Sequence, residues 1–203
     1  MAKRRFIGRL SCALVVALIG ISLGACGESS GTVKKSVSVA AASSTPALAA
    51  MSGMVGYSGS DKIVVGDAAS KSVTVTLVAG EGPAASGFNF DGYANGDMAV
   101  QLPTGWTVKV SFTVASSTPH SVLIVPWNER KAAIFHPAFA GAATPDYRSG
   151  IERGDPAQGF SFTADKAGEY AIVCGVPGHD DLGMWDTFDV VDNLAAPRVL
   201  VKQ

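Results

Sequence analysis

The 203-residue sequence predicts an all-β fold, an antiparallel sandwich, and three observations carry that expectation. Short apolar runs recur at 63–65, 73–78, 88–90, 98–102, 106–114, 121–125, 160–163, 170–173 and 187–191, a spacing that suits strands and is too short for helices. Several runs alternate, as in Val73-Thr74-Val75-Thr76-Leu77 and Val108-Lys109-Val110-Ser111-Phe112, so each strand offers one face to a core and one to water. Gly, Pro, Asn or Asp separates the runs, and no segment holds a sustained helical period.

The strands do not begin at the N-terminus. Lys3, Arg4, Arg5 and Arg9 precede an apolar stretch over 10–23, followed by Leu23-Gly24-Ala25-Cys26. A basic head, a short apolar body and small residues before a cleavage point read as a signal peptide over 1–25; the apolar body is shorter than a membrane-spanning helix requires. The four residues ending at Cys26 resemble a bacterial lipobox, so Cys26 is expected to carry lipid and anchor the mature chain outside the cytoplasm, in the periplasm or on the outer cell surface. Residues 26–60 are rich in Ser, Ala and Gly and read as a flexible tether that includes Met51 and Met54. The folded domain is expected over 61–203.

Removing 1–25 takes four of the 16 basic residues and none of the 17 acidic ones, which leaves a net charge of −5. No basic run remains, which excludes nucleic acid as a principal partner. With Cys12 removed and Cys26 acylated, Cys174 is the single thiol of the domain and has no internal disulfide partner. An unpaired thiol in an oxidising compartment needs protection, and a bound metal provides it.

The strand pattern lapses over 127–158, a connection long enough to be an insertion with room for a short helix. It falls between the run after His120 and the run that ends at Cys174. Beyond that cysteine, Cys174-Gly-Val-Pro-Gly-His179-Asp-Asp-Leu-Gly-Met184 sets a thiolate, an imidazole and a thioether at equal five-residue steps. Gly175, Pro177, Gly178 and Gly183 permit the tight turns that bring all three round one ion. A second imidazole completes the donor set, and His120 arrives from a separate strand to supply it. Two imidazoles and a thiolate with a weak axial thioether are the donors of a mononuclear blue copper site. Ser121 is placed to donate to the Cys174 sulfur. Zinc has little use for methionine, and structural zinc sites favour paired cysteines. His136 lacks an adjoining strand and reads as a surface residue. With three histidines in the chain, a second, histidine-rich catalytic copper site is excluded, so no enzymatic activity is expected.

The segments Phe88-Asn-Phe-Asp-Gly92, Pro103-Thr-Gly-Trp106, Pro119-His120, Ser149-Gly-Ile151, Cys174-Gly-Val-Pro-Gly-His179 and Gly183-Met-Trp185 together resemble the sulfocyanin family over about 62–192. The loop spacing is also that of rusticyanin. The resemblance implies a cupredoxin-like Greek-key β-sandwich with a long insertion before the strand leading to the cysteine. It further implies one type 1 copper ion held by His120, Cys174, His179 and Met184, and electron delivery in a respiratory chain; the protein is expected to be a monomer. Its expected partners are a donor such as a cytochrome and an acceptor such as a haem-copper terminal oxidase. The alternative expectation is a copper storage or delivery module of the cell envelope. Asp91, where the family often has asparagine, and Asp180-Asp181 beside His179 depart from the pattern. The expected electron port is an exposed edge of His179 ringed by Val176, Pro177, Gly183 and Trp127.

Overall fold

The computed structural model describes residues 53–57 and 59–203, all within the unit Ser43–Gln203. The expected signal peptide, Cys26 and most of the expected tether lie outside the described residues. Eleven elements follow in order: β1 (Met54–Gly56), α1 (Ser60–Ile63), β2 (Val64–Asp67), β3 (Ser72–Ala79), β4 (Met98–Pro103), β5 (Thr107–Val114), β6 (Leu123–Pro126), β7 (Gln158–Thr163), β8 (Gly168–Val173), β9 (Trp185–Val191) and β10 (Arg198–Lys202). They form a six-stranded sheet in the order β1-β10-β4-β9-β8-β6 and a four-stranded sheet in the order β2-β3-β5-β7. Among the described residues, no helix is long and apolar enough to cross a membrane.

Alternation in the sequence becomes the core between the two sheets. Val73, Val75, Leu77 and Ala79 of β3 and Val108, Val110, Phe112 and Val114 of β5 are buried. Opposite them lie Val100 and Leu102 of β4, Ile172 of β8, and Phe188 and Val190 of β9. Each such Val, Leu or Phe contributes about 1.5–3 kcal/mol by leaving water.

Three details depart from the expected pattern. The sandwich is mixed: β3 pairs with β5 and β4 pairs with β9 in parallel, because the chain crosses to the other sheet between the partners. The run at 88–90 is no strand, and only isolated bridges of Phe90 to Ala79 and to Tyr93 form there. The tether expectation for 26–60 runs too far, since Met54–Gly56 pairs with β10 as an edge strand. That strand is held through its backbone and buries little side chain, so it carries no apolar signature.

The connection over 127–158 contains a single 3-10 turn, Trp127–Glu129, and otherwise runs beside β6. β6 is the last strand of its sheet, and its free edge would leave backbone groups unpaired. The connection satisfies them: Ile124 N–H donates to Ala142 O at 3.0 Å, Ala138 N–H to Ile124 O at 2.8 Å, and Thr144 N–H to Val122 O at 2.9 Å. Its side chains Phe135, Ala132, Ala143 and Tyr147 build a second apolar cluster with Leu123, Val125, Ala171 and Val173.

Candidate metal centre

Cys174 follows β8 directly, where Val173 is in register with Leu123 of β6 and Trp185 of β9. Three adjacent strands of one sheet, β9, β8 and β6, therefore fix the position of its sulfur. The loop from Cys174 to Met184 closes on itself through backbone bonds. Cys174 N–H donates to Met184 O at 3.1 Å, and Met184 N–H donates to His179 O at 2.9 Å. Gly178 and Gly183 hold φ of +84° and +98°, values that favour glycine. A side chain at Gly183 would also meet the Asn95 amide, with its Cβ 2.5 Å from Asn95 Nδ2.

His120 comes from the β5–β6 connection. Its backbone exchanges two hydrogen bonds with Ile151 of the insertion, His120 N–H to Ile151 O at 2.9 Å and Ile151 N–H to His120 O at 2.8 Å. Gly150 permits this contact, because a Cβ there would lie 2.5 Å from His120 O. Tyr147, also from the insertion, covers Gly175 so closely that a Cβ on Gly175 would lie 2.5 Å from its ring. The long connection is thus a wall of the site as well as an edge cover.

The structure brings His120, Cys174 and His179 together, with one potential ligand atom from each within 4.8 Å of the others. Cys174 Sγ lies 3.3 Å from His179 Nδ1 and 3.9 Å from His120 Nδ1. Two donors at about 2.05 and 2.3 Å from one ion in a trigonal plane would stand about 3.8 Å apart, so the trio fits a first-row metal. Cys174, His120 and Met184 are fully buried. Ser121 N–H donates to Cys174 Sγ at 3.4 Å, and its hydroxyl lies 3.8 Å from the same sulfur while accepting Gly175 N–H at 2.9 Å. The donor set is that of a copper site: one soft thiolate supplied with a hydrogen bond, two imidazoles, and a buried thioether on the same closed loop.

Burial keeps the three donor groups in their neutral forms. Burial, and then the neighbouring His179, lower His120 to about 4; burial also lowers His179, so both rings are neutral and able to donate lone pairs. Burial raises the Cys174 thiol against the opposing bonds from Ser121, so the metal itself must displace that proton. His136 stands apart, exposed and 3.2 Å from Glu129 Oε2.

The expected exposed edge of His179 is corrected by the structure: His179 is 8% exposed. The Phe88 ring meets it edge to face at 4.8 Å and also meets His120 at 6.0 Å. Gly183 is buried, while Pro177, Gly178 and Leu182 are exposed. Trp127 packs on Trp185 at 5.6 Å beneath Arg130. Sequence reasoning missed Phe88 as a site residue because its segment reads as a strand. It also missed Asn95 and Ser116, which carry no local signal and gain meaning only from what the fold sets beside them.

The family model for the sulfocyanin (SoxE) domain matches residues 59–201. Sulfocyanin of Sulfolobus acidocaldarius is 30% identical over 141 residues, which cover 64% of this chain and 69% of that protein. Among solved structures, reduced auracyanin of Roseiflexus castenholzii is 24% identical with a TM-score of 0.42, covering 58% of this chain and 96% of its own. Reduced rusticyanin is 26% identical with a TM-score of 0.42, covering 64% and 91%.

Proposed function

The chain belongs to the sulfocyanin family, blue copper proteins that carry electrons, and from that premise we propose that it passes single electrons between membrane-associated respiratory proteins. A haem-copper terminal oxidase is the acceptor in this reading, and a lipid on Cys26 holds the domain at the outer face of the membrane. The observation that carries the proposal is the buried convergence of His120 Nδ1, from the β5–β6 connection, on Cys174 Sγ and His179 Nδ1 of the loop closed by Met184.

Bound copper supplies a one-electron couple. The chain's part is to keep the donors fixed while the charge changes, so that little rearrangement opposes transfer. His120 is held by Ile151 and Gly150, and Cys174 by three strands and Ser121. Phe88 packs edge to face on both imidazoles. Electrons are proposed to cross the surface beside His179, where Phe88 meets the ring and Pro177, Gly178 and Leu182 of the same loop are exposed. A groove beside it is lined by Lys131, Arg148, Pro177 and Asp181, a charged margin suited to brief docking.

Storage or delivery asks for donors that release metal readily. Full burial of His120, Cys174 and Met184 opposes that use. The test is stopped-flow mixing of the reduced copper protein with a purified haem-copper oxidase and oxygen. Rapid oxidation that saturates with protein concentration supports the proposal, and a protein that stays reduced overturns it.

A further inference from the structure

His120 must present Nδ1 to the metal, so the proton of the neutral ring has to sit on Nε2. The structure sets a hydroxyl where it can favour this tautomer. Ser116, four residues earlier on the β5–β6 connection, sets its Oγ 2.9 Å from His120 Nε2, while His120 Nδ1 lies 3.9 Å from Cys174 Sγ.

A serine hydroxyl has one proton and two lone pairs. Ser116 Oγ donates that proton to Thr118 O at 3.1 Å and accepts Thr118 N–H at 3.3 Å. One lone pair remains for Nε2. With its proton on Thr118 O the hydroxyl accepts at Nε2 and the imidazole donates, an arrangement that satisfies all three contacts at once.

The position of Ser116 is itself fixed. Ala115 N–H donates to Ala79 O at 2.8 Å, which ties the start of the connection to the end of β3. Gly80, with φ of +72°, lets the two segments touch: a Cβ there would lie 2.5 Å from Ser116 Cβ and 2.7 Å from Ser116 Oγ.

We infer that Ser116 is a positioning residue which locks His120 in its Nε2–H tautomer before metal arrives and tunes the site afterwards. This inference rests on the reading of His120 as a ligand. An acceptor on Nε2–H makes the ring a stronger donor, which favours the oxidised ion and lowers the potential. Ser116→Ala removes the acceptor, so the potential rises and metal affinity falls about 10- to 100-fold. Ser116→Thr keeps the hydroxyl and restores both.

The first measurement needs no metal. Long-range proton–nitrogen NMR correlations of histidine-labelled apo-protein report which ring nitrogen is protonated. The wild type is expected to show His120 as a single Nε2–H tautomer and Ser116→Ala as a mixture. A wild-type His120 protonated on Nδ1 overturns the inference even if every variant fails to fold. So does a Ser116→Ala protein whose tautomer, Cu(I) affinity and potential all match the wild type. If the wild type gives no blue colour with Cu(II), the ligand reading fails, and the apo spectrum still decides the tautomer.

Discussion

Asp189→Asn should stabilise the metal-free domain at pH 8 and leave it nearly unchanged at pH 4. Asp189 lies in a row of register partners that crosses the outer face of the six-stranded sheet: Arg198 of β10, Gln101 of β4, Asp189 of β9 and Glu169 of β8. Arg198 Nε donates to Gln101 Oε1 at 2.7 Å, and Gln101 Nε2 donates to Asp189 Oδ2 at 3.0 Å. Asp189 Oδ1 and Glu169 Oε1 are both buried without a hydrogen-bond partner among the described residues. Burial, with the Glu169 charge, pushes Asp189 up to about 6 from 3.8 against the Gln101 hydrogen bond, and burial also raises Glu169 against the Arg130 charge.

A carboxyl raised in the folded state contributes its full stability below the unfolded value. That contribution is lost as pH climbs through the folded one. The window here runs from about pH 4 to above pH 6, and two units correspond to about 3 kcal/mol. Asparagine is neutral throughout, accepts from Gln101, and carries an amide N–H for Glu169. Urea unfolding followed by tryptophan fluorescence from pH 4 to 8 should show an advantage for Asp189→Asn that grows to about 3 kcal/mol at pH 8. An equal difference at both ends, or a variant less stable than the wild type at pH 8, would refute the reasoning.

Gly150→Ala should cost about 2 kcal/mol or more and weaken metal binding together, because its Cβ would strike His120 O while φ stays at +74°; calorimetry of apo and loaded protein checks both effects. Phe88→Ala should lower the reduction potential by admitting water to His179, as voltammetry would show, and an unchanged potential would remove Phe88 from its shielding role. Met184→Gln should keep the metal and lower the potential, since a harder axial donor favours the oxidised ion. His136→Ala should leave the visible spectrum and metal affinity intact, because that ring contacts Glu129 on the surface.

Where alternation and composition report burial, the fold was legible. β3, β5, β8 and β9 follow from residues such as Val73, Val75 and Leu77, whose inward faces must be apolar. β1 and the parallel pairings were not legible, because backbone bonds and chain crossings leave no mark on side-chain pattern. The three residues the structure gathers, His120, Cys174 and His179, were readable because their chemistry is rare and their loop is dense in glycine. Phe88, Asn95 and Ser116 were hidden, since each acts through a neighbour distant in sequence or through one atom of a common side chain. The insertion shows both sides: its length was evident, while its service to the edge of β6 and the backbone of His120 required the fold.

Titration of the apo-protein with Cu(II), read by visible absorption, tests the copper assignment most directly. One equivalent should give an intense blue band that a reductant bleaches, that Cys174→Ala abolishes, and that is lost or strongly altered in His120→Ala and His179→Ala. A wild type that stays colourless, or a blue band that survives Cys174→Ala, would contradict the account.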